Sequence, residues 1–330
     1  MTDRTVGISV ILCAYTEARW QALAAAVESV RRQTKSPGEI ILVIDHNQPL
    51  LARAREQLPD VTVIENWQPR GLSGARNSGI SIAKGDVIAF MDEDALAAPD
   101  WLEWLTQYYT HDHVLGVGGT IEPVWATGRP KWFPSEFDWV VGCTYRGMPD
   151  TTKSVRNLIG CNMSFRREVF QQVGGFRSGI GRVGVRPVGC EETELCIRLN
   201  QHRPKCVLLY EPRGRVFHQV PASRSNWRYF VSRCYSEGLS KAIVAKFVGA
   251  GDGLAAERAY TMETLPRGIL HGAADAVRRG DLAGLARASA IVAGLLFTAL
   301  GFLGGKITQW RTPRKLEDRP DSVVISGATK

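Results

Sequence analysis

Residues 92–94 are three consecutive carboxylates, Asp92, Glu93 and Asp94, directly after the apolar run 87–91. The run is short and β-branched at its start, which favours a buried strand of an α/β sheet over a helix. Ligands of open α/β sheets bind at the carboxyl ends of the strands. Aspartates two residues apart offer the hard oxygen ligands that suit Mg²⁺ or Mn²⁺. The triplet therefore predicts either a divalent metal site or a solvated acidic loop before a helix near Pro99.

Four strand-like patterns in the first 120 residues would position this triplet. They lie at residues 8–13, 39–44, 61–65 and 87–91, with helix-like patterns at about 20–33, at 51–58 and from Ser73 onward. Repeated strand–helix–strand units predict an α/β fold with a mainly parallel sheet flanked by helices. The carboxyl ends of parallel strands share one edge, so the triplet is expected at that edge.

The composition is that of a globular protein, with 330 residues of which 44% are hydrophobic and 22% charged. This length allows one large domain plus an extension. The seven cysteines are odd in number and include no C-x-x-C pair, a pattern typical of reduced thiols and not of a disulfide framework or a zinc site. The N-terminal residues do not have the pattern of a signal peptide. A cytoplasmic location is therefore expected.

A formal charge of +8 and a pI of about 9.2 predict an anionic partner. Nucleic acid, acidic lipid and a phosphorylated substrate all satisfy that condition. The sequence carries no signature of a nucleic-acid-binding module, and part of the Arg and Lys excess lies in the C-terminal third. This distribution favours an anionic membrane surface.

The middle of the chain has a different pattern from the first 120 residues. Residues 122–150 combine tryptophans with prolines and glycines, which indicates either an irregular loop facing an acceptor or aromatic packing under a long loop. Further on, strands are predicted at 157–165, 207–210 and 216–218, and helices at 168–173 and 191–200. The glycine-rich stretch 174–189 is predicted to be a flexible loop that closes over a ligand.

The C-terminal third is predicted to be helical from residue 226 and contains the apolar stretch 288–305. These residues would extend roughly 27 Å as a helix, close to the ~30 Å of a bilayer core. Three interpretations remain open: a membrane span, a helix buried against the catalytic domain, or a hairpin in the membrane interface. In the hairpin, five basic residues would contact lipid phosphates: Arg278, Arg279, Arg287, Lys306 and Arg311.

Four segments, in their order along the chain, resemble the family 2 glycosyltransferases of the GT-A fold. They are residues 9–17, residues 71–79, the acidic triplet and residues 191–195, and the resemblance covers about residues 7–235. It implies a GT-A catalytic domain at 1–235 and a membrane-associating helical extension at 236–311. The catalytic domain would divide into a nucleotide-binding half at about 1–120 and an acceptor half at about 121–235, and residues 312–330 are predicted to form a disordered tail.

The resemblance also implies a donor site and a metal site. Asp94 would bind Mn²⁺ or Mg²⁺ directly, helped by Asp92 and His218, although a lone histidine at a strand end is also a common structural residue. Arg76 would either pair with a phosphate or fix the acidic loop. The residues that would contact a nucleoside diphosphate sugar, with UDP as the expected nucleotide, are Ala14, Tyr15, Glu17, Asp45, Arg76, Asn77, Asp92 and Glu93.

Glu191 and Glu192 match the paired carboxylates that this family carries at the start of a helix, where the second carboxylate is the general base. One carboxylate must remove the acceptor hydroxyl proton while the oxygen attacks the anomeric carbon opposite the diphosphate. A single displacement of this kind inverts the anomeric configuration. Glu192 is the expected base and Glu191 the second choice. A different interpretation is an acidic first helical turn that complements the helix dipole.

The resemblance thus implies a metal-dependent inverting enzyme that moves a single sugar to a hydroxyl of a glycan, a lipid-linked sugar or a small molecule. It would act at the cytoplasmic face of a membrane, where it is peripheral or anchored. Two alternative functions would each require a different sequence. A noncatalytic nucleotide-sugar-binding subunit would have lost the paired glutamates, and a sugar-phosphate nucleotidyltransferase would carry a glycine- and lysine-rich loop after the first strand.

Overall fold

The structure is a computed structural model that describes residues 6–182, 189–249, 251, 258 and 260–311, with the backbone alone for 309–311. Most of the loop predicted to close over a ligand is described, but its residues 183–188 lie outside these ranges. The tail predicted at 312–330 also lies outside the described residues.

The N-terminal half of the sheet is parallel, as the alternating pattern predicts. Its strands are β1 (Ile8–Ala14), β2 (Glu39–Ile44), β3 (Thr62–Glu65) and β4 (Val87–Asp92), in the order β3-β2-β1-β4. All seven residues of β1 are buried, because helices cover both faces of the sheet. These helices include α1 (Trp20–Arg31), α2 (Gln48–Gln57) and α3 (Leu72–Ile82).

The C-terminal half of the sheet is mixed. Its strands are β5 (Ala95–Ala97), β6 (Val114–Trp125), β7 (Lys153–Ser154), β8 (Asn162–Arg166) and β9 (Val207–Val220). The order continues β4-β8-β6-β9-β5, with β8 antiparallel to β4 and β6, and β6 parallel to β9. The sheet is therefore less parallel than the sequence suggests.

The two strands predicted at 207–210 and 216–218 are parts of one strand, β9. Its pairing with β6 shifts register after Gly119, which lies opposite Glu211, whereas the next residue of β6 lies opposite Arg215. A Cβ atom on Gly119 would lie 1.8 Å from the Gly214 carbonyl oxygen, so the two backbones approach closely at this bulge. Beyond the bulge, β9 carries His218 to the edge where β4 ends.

Three further helices support this half of the domain: α4 (Trp101–Thr106), α5 (Arg167–Val173) and α6 (Glu191–His202). The aromatic loop predicted at 122–150 is packed against the C-terminal helices. The rings of Phe133 and Phe137 lie 5.4 and 5.3 Å from that of Phe230, and all three side chains are buried. Aromatic packing is therefore part of the role of this loop.

The C-terminal extension consists of α7 (Trp227–Val248), α8 (Leu265–Arg279) and α9 (Leu282–Arg311). Glycines let α9 pack closely on α7: a Cβ atom on Gly301 would lie 1.9 Å from the Tyr235 carbonyl oxygen, and one on Gly238 would lie 2.0 Å from that of Thr298. Helix α9 is thus attached to the body of the protein. The domain boundary predicted at residue 235 falls inside the continuous helix α7.

The opposite face of α9 is apolar and exposed. An 18-residue window within Leu282–Thr308 has a mean hydropathy of 1.9, and one third of that window is buried, so by length and composition the segment could cross a membrane. A core helix of a soluble protein can have the same length and composition, but such a helix is mostly buried. Among the described side chains of α9, the large apolar ones that are at least 45% exposed are Leu282, Leu285, Val292, Leu296, Leu300, Leu303 and Ile307.

Candidate active site

The acidic triplet lies at the carboxyl end of β4, as predicted, and β9 brings His218 next to it. Strand β5 begins at Ala95, which pairs with His218, and this pairing places the His218 Nε2 atom 3.2 Å from the Asp94 Oδ1 atom. Ligand atoms of Asp92, Asp94 and His218 all lie within 4.8 Å of one another. The three residues predicted as metal ligands therefore converge.

Two carboxylate oxygens and one imidazole nitrogen form a donor set that suits a divalent cation. The other ring nitrogen of His218, Nδ1, lies 3.9 Å from the Cys143 sulfur, which leaves Nε2 as the atom that faces Asp94. A contact of this kind to the second nitrogen fixes the orientation of a ligating histidine. The residues present thus fit a bound metal ion.

The electrostatic surroundings keep Asp94 ionised. Burial alone would raise the pKa of Asp94, but the hydrogen bond from His218 and the charges of His218, Arg224 and Arg19 outweigh burial and lower it. Arg19 Nη1 lies 3.1 Å from Asp94 Oδ2, and Arg224 Nη2 lies 3.8 Å from the same atom. An ionised carboxylate is the form that ligates a cation.

Glu93, between the two aspartates, has a different partner. Its carboxylate accepts a hydrogen bond from Arg19 Nη1 at 2.8 Å. Burial and the neighbouring Asp94 charge raise the pKa of Glu93 to about 7, although Arg19 opposes this shift. Arg19 therefore links the middle and last carboxylates of the triplet.

A cavity of about 290 Å³ lies at this edge of the sheet, and we call it the strand-edge cavity. Predicted donor-binding residues form part of its wall: Ala14, Tyr15, Asp45, Asp92 and Glu93, beside the predicted metal ligand Asp94. Four arginines also line it: Arg19, Arg182, Arg224 and Arg233. Among the described residues, no hydrogen-bond acceptor reaches the buried Arg224 Nη1 atom. The cavity thus combines a metal site with cationic groups that suit a diphosphate.

Asp45 organises the loop that leads into α3. Its Oδ1 atom accepts a hydrogen bond from Asn66 Nδ2 at 2.7 Å, and its Oδ2 atom accepts one from the Gly71 backbone N–H at 3.0 Å. Gly71 has a φ of +125°, a conformation that only glycine adopts without strain. Asp45 therefore shapes the cavity wall as well as facing the cavity.

Three other residues predicted to bind the donor lie outside this wall. Glu17 is exposed in a short 3₁₀ helix after β1, and Asn77 is buried with both amide atoms bonded to the Phe176 backbone at 2.8 Å. Arg76 is buried beside the acidic loop, with Nη2 3.6 Å from Asp92 Oδ1. This geometry matches the interpretation in which Arg76 fixes the loop, and the donor-binding roles of the three residues stay predictions.

A second cavity of about 560 Å³, the helix-walled cavity, begins at Glu191 and Glu192 and extends to α7, α8 and α9. Leu72, Asp92, Arg182 and Arg233 line both cavities. The two cavities therefore meet at Asp92, with the metal ligands on one side and the paired glutamates on the other.

The paired glutamates at the start of α6 have different surroundings. Glu191 is buried, and its Oε1 atom lies 2.8 Å from Arg76 Nη1, so this carboxylate is engaged in an ion pair. Glu192 is half-buried at the cavity wall, and burial together with the adjacent Glu191 charge raises the pKa of Glu192 to about 8. Of the two, Glu192 is the carboxylate that can exchange a proton with a molecule in the cavity.

The remaining acidic residue of this helical turn is structural. Glu194 is buried and accepts hydrogen bonds from Arg177 Nε at 3.3 Å and from Arg198 Nε at 2.9 Å. The alternative interpretation, an acidic turn without a chemical role, therefore fits Glu194 but does not account for the position of Glu192 in a cavity.

The arginines of the strand-edge cavity were not predicted from the sequence. Arg224 follows β9 by four residues and Arg19 lies in the turn before α1, but neither belongs to a motif. The available signal was their position after strands whose carboxyl ends were already predicted to form the site.

Comparisons with known proteins identify the family of this chain. Residues 9–174 match the family model described as Glycosyl transferase family 2. The glucosyl-dolichyl phosphate glucuronosyltransferase of Haloferax volcanii is 36% identical over 241 residues, which are 72% of this chain and 77% of that protein. The succinoglycan biosynthesis protein ExoM of Rhizobium meliloti is 21% identical over 244 residues, 72% of this chain and 75% of that protein.

A solved structure shares the fold over most of the chain. The mannosyltransferase PcManGT from Pyrobaculum calidifontis, in complex with GDP-Man and Mn²⁺, superposes with a TM-score of 0.55 and 17% sequence identity. The superposition covers 89% of this chain and 87% of that one. The predicted GT-A fold class is thereby confirmed.

Proposed function

Since this chain belongs to glycosyl transferase family 2, we propose that it moves a single sugar from a nucleoside diphosphate sugar to a hydroxyl group, with inversion at the anomeric carbon and with a divalent cation as cofactor. The observation that carries the proposal is the meeting of two cavities at Asp92. Metal ligands line one cavity and Glu192 lines the other. Such a placement puts a donor and an acceptor side by side.

The strand-edge cavity is the proposed donor site. Asp92, Asp94 and His218 would hold Mn²⁺ or Mg²⁺, and Arg19 and Arg224 would contact the diphosphate. A bound cation supplies Lewis-acid stabilisation of the departing diphosphate. We propose UDP as the nucleotide, because Tyr15 and Asp45 match the base-binding positions of the family resemblance and both line this cavity.

The helix-walled cavity is the proposed acceptor site. Glu192 would accept the hydroxyl proton as the acceptor oxygen attacks the anomeric carbon, which is general base catalysis. Glu191 would act as a positioning residue, because its ion pair fixes Arg76 next to Asp92. One base and one displacement give inversion.

We also propose that the exposed apolar face of α9 lies on the cytoplasmic face of a membrane. Arg278 and Lys306 are exposed and available to lipid phosphates. Arg279 pairs with Asp275 at 3.5 Å, and Arg287 pairs with Asp275 at 2.9 Å and with Asp281 at 3.1 Å. The close packing of α9 on α7 favours the interfacial hairpin over a separate span. The relative from Haloferax volcanii, which has a lipid phosphate sugar in its name, supports a lipid-linked acceptor.

A donor-hydrolysis screen tests this function. The full chain is incubated with a panel of UDP- and GDP-sugars in the presence of Mn²⁺, Mg²⁺ or a chelator, and release of the nucleoside diphosphate is measured. We expect slow release from one UDP-sugar that the chelator abolishes. Release that is equal with and without the chelator would contradict metal dependence, and the absence of donor binding or release under every condition would contradict the proposed reaction.

A further inference from the structure

The helix-walled cavity changes character along its length. Near Asp92 it is lined by the charged residues already described, whereas α8 and α9 contribute a mainly apolar wall of Leu265 and Thr298 together with Leu295, Ala299, Phe302 and Leu303. The last four lie on one stripe of α9 because they are spaced by three or four residues. The volume of about 560 Å³ lies within the roughly 300–1,000 Å³ of pockets that bury drug-sized ligands. A polar acceptor sugar alone does not account for an apolar wall.

The apolar stripe that lines the cavity is continuous with the exposed apolar face of α9. Leu295 and Leu303 line the cavity and are nevertheless 40% and 57% exposed. Their neighbours Leu296 and Leu300 belong to the outward apolar face of α9. A flexible hydrocarbon chain that leaves the cavity here would therefore stay in contact with apolar surface.

Cationic side chains also line the helix-walled cavity. Arg156 and Lys241 line this cavity and do not line the strand-edge cavity, whereas Arg233 lines both. Lys241 lies one helical turn after Glu237, with which it pairs at 3.4 Å, and the Glu237 carboxylate lies 3.3 Å from the Cys190 sulfur. Cys190 directly precedes the paired glutamates. The Lys241 ammonium is thus close to the proposed base and is largely enclosed, with its side chain 22% exposed.

The balance of charge around Arg233 also suits an anion. Arg233 is buried on α7, and burial together with the nearby Arg182 charge lowers the pKa of Arg233, although the Glu237 charge opposes this shift. Two guanidinium groups that repel each other in a buried site are stabilised by a negatively charged ligand.

We propose that the helix-walled cavity binds an acceptor sugar that is linked through a phosphate to a long hydrocarbon chain. This inference rests on the proposed function. The sugar hydroxyl lies at Glu192, the phosphate lies at Lys241 and Arg156, and the first carbons of the chain lie on the α9 stripe. The protein itself, and not only the surrounding bilayer, then recognises the lipid.

The simplest test uses the full wild-type chain and geranyl phosphate, a soluble probe that carries one phosphate and ten carbons of chain. Binding is measured by titration calorimetry and compared with geraniol, which lacks the phosphate, and with inorganic phosphate, which lacks the chain. We expect geranyl phosphate to bind at least ten-fold more tightly than either control. Equal affinities for geranyl phosphate and inorganic phosphate would overturn the proposal, and so would equal affinities for geranyl phosphate and geraniol.

Two matched pairs of variants locate the site. Lys241→Met should weaken geranyl phosphate binding at least ten-fold, whereas Lys246→Met, at an exposed position of the same helix, should not change it. Ala299→Trp should fill the cavity and prevent binding, whereas Ser289→Trp, at an exposed position of α9 that does not line the cavity, should not. Binding that survives both Lys241→Met and Ala299→Trp would place the lipid elsewhere and contradict the proposal.

The donor-hydrolysis screen separates the two possible failures. Metal-dependent donor hydrolysis without selective geranyl phosphate binding would overturn the lipid site and leave the proposed glycosyl transfer intact. Donor hydrolysis that is slowed by geranyl phosphate in wild type but not in Ala299→Trp would support both. Geranyl phosphate that binds only after residues 312–330 are removed would identify the chain's own C-terminal segment as the occupant of the cavity.

Discussion

The two cavities that meet at Asp92 are built by different means. The strand-edge cavity is formed by the carboxyl ends of β1, β2 and β4 together with short acidic side chains and arginines, so its carboxylates are held at the edge of the sheet. The helix-walled cavity takes its far wall from α8 and α9, outside the family match at residues 9–174. We propose on this basis that metal and donor chemistry depends on the sheet, whereas recognition of the acceptor depends on the C-terminal helices.

If donor and acceptor bind in separate cavities, the largest loss of transfer rate should come from replacing the general base between the two cavities. Glu192→Gln removes the proton acceptor with little change of shape, and general base catalysis contributes roughly 10²–10⁴-fold in rate. We expect a loss of transfer within that range and nearly unchanged donor affinity, measured by transfer assay and by titration of the donor. Retained transfer would move the base assignment to Glu191 or to another group.

The next largest effect should be confined to the strand-edge cavity. Asp94→Asn removes one anionic metal ligand, and we expect metal-dependent donor affinity to fall by roughly 100-fold, since even the groups that only orient metal ligands affect metal affinity roughly 10–100-fold. Titration of Mn²⁺ in the presence of UDP measures this loss. The same variant should leave geranyl phosphate binding unchanged if the cavities act separately, and a parallel loss of both would contradict that separation.

A smaller loss of donor affinity is expected for a substitution of Arg224. This residue lines the strand-edge cavity and does not line the helix-walled cavity. Arg224→Met removes a charged donor from the diphosphate site, and one charge-assisted hydrogen bond contributes about 1.5–3 kcal/mol, or roughly 10–100-fold in donor affinity. Arg228→Met is the matched control, because Arg228 is exposed on α7. Equal donor affinities for the two variants would show that Arg224 does not bind the diphosphate.

The pH dependence of transfer should report the helix-walled cavity. Because burial and Glu191 raise the pKa of Glu192 to about 8, the carboxyl group is protonated below that pH and cannot accept a proton. We expect the transfer rate to rise about ten-fold per pH unit below about 8 and to level off above it. The residual transfer rate of Glu192→Gln should not rise with pH in this range. If the rate of the variant rises with pH as in the wild type, the titrating group is a different one.

The smallest effect on the reaction itself should come from the outward face of α9. The double substitution Leu296→Glu and Leu300→Glu adds charge to two exposed apolar positions, so binding to anionic vesicles should fall while donor hydrolysis in solution stays the same. Vesicle flotation measures the first and nucleotide release the second. Vesicle binding that is unchanged by the double substitution would argue against α9 as the membrane face.

The sequence predicted the parts of the site that follow from local patterns. Strands β1 to β4 are short apolar runs with clear boundaries, and the edge at which Asp92 and Asp94 lie follows from them. Family membership and the glycosyltransferase class are confirmed, which removes the noncatalytic and nucleotidyltransferase alternatives. The proximity of His218 to Asp94 was predicted from the family resemblance alone. The pairing of β5 with β9 explains this proximity in physical terms.

The features that the sequence did not predict depend on long-range contacts. Strand β6 contains Gly116, Gly118, Gly119 and Pro123, which have weak strand propensity. Glycine is required at position 119, because a Cβ atom there would lie 1.8 Å from the Gly214 carbonyl oxygen. Arg182 and Arg224 reach the site through long side chains whose direction no local motif encodes. The role of α9 as a cavity wall depends on its glycine-mediated packing against α7, which is a tertiary contact.

Anomalous diffraction from crystals grown with UDP and Mn²⁺ tests the central claim most directly, because the manganese position is measured without assumption about the reaction. We expect one manganese peak in the strand-edge cavity, in contact with Asp94, His218 and the diphosphate, with the Glu192 carboxylate facing the terminal phosphate from the helix-walled cavity. A manganese ion and diphosphate bound away from Asp94, or separated from Glu192 by protein, would contradict it.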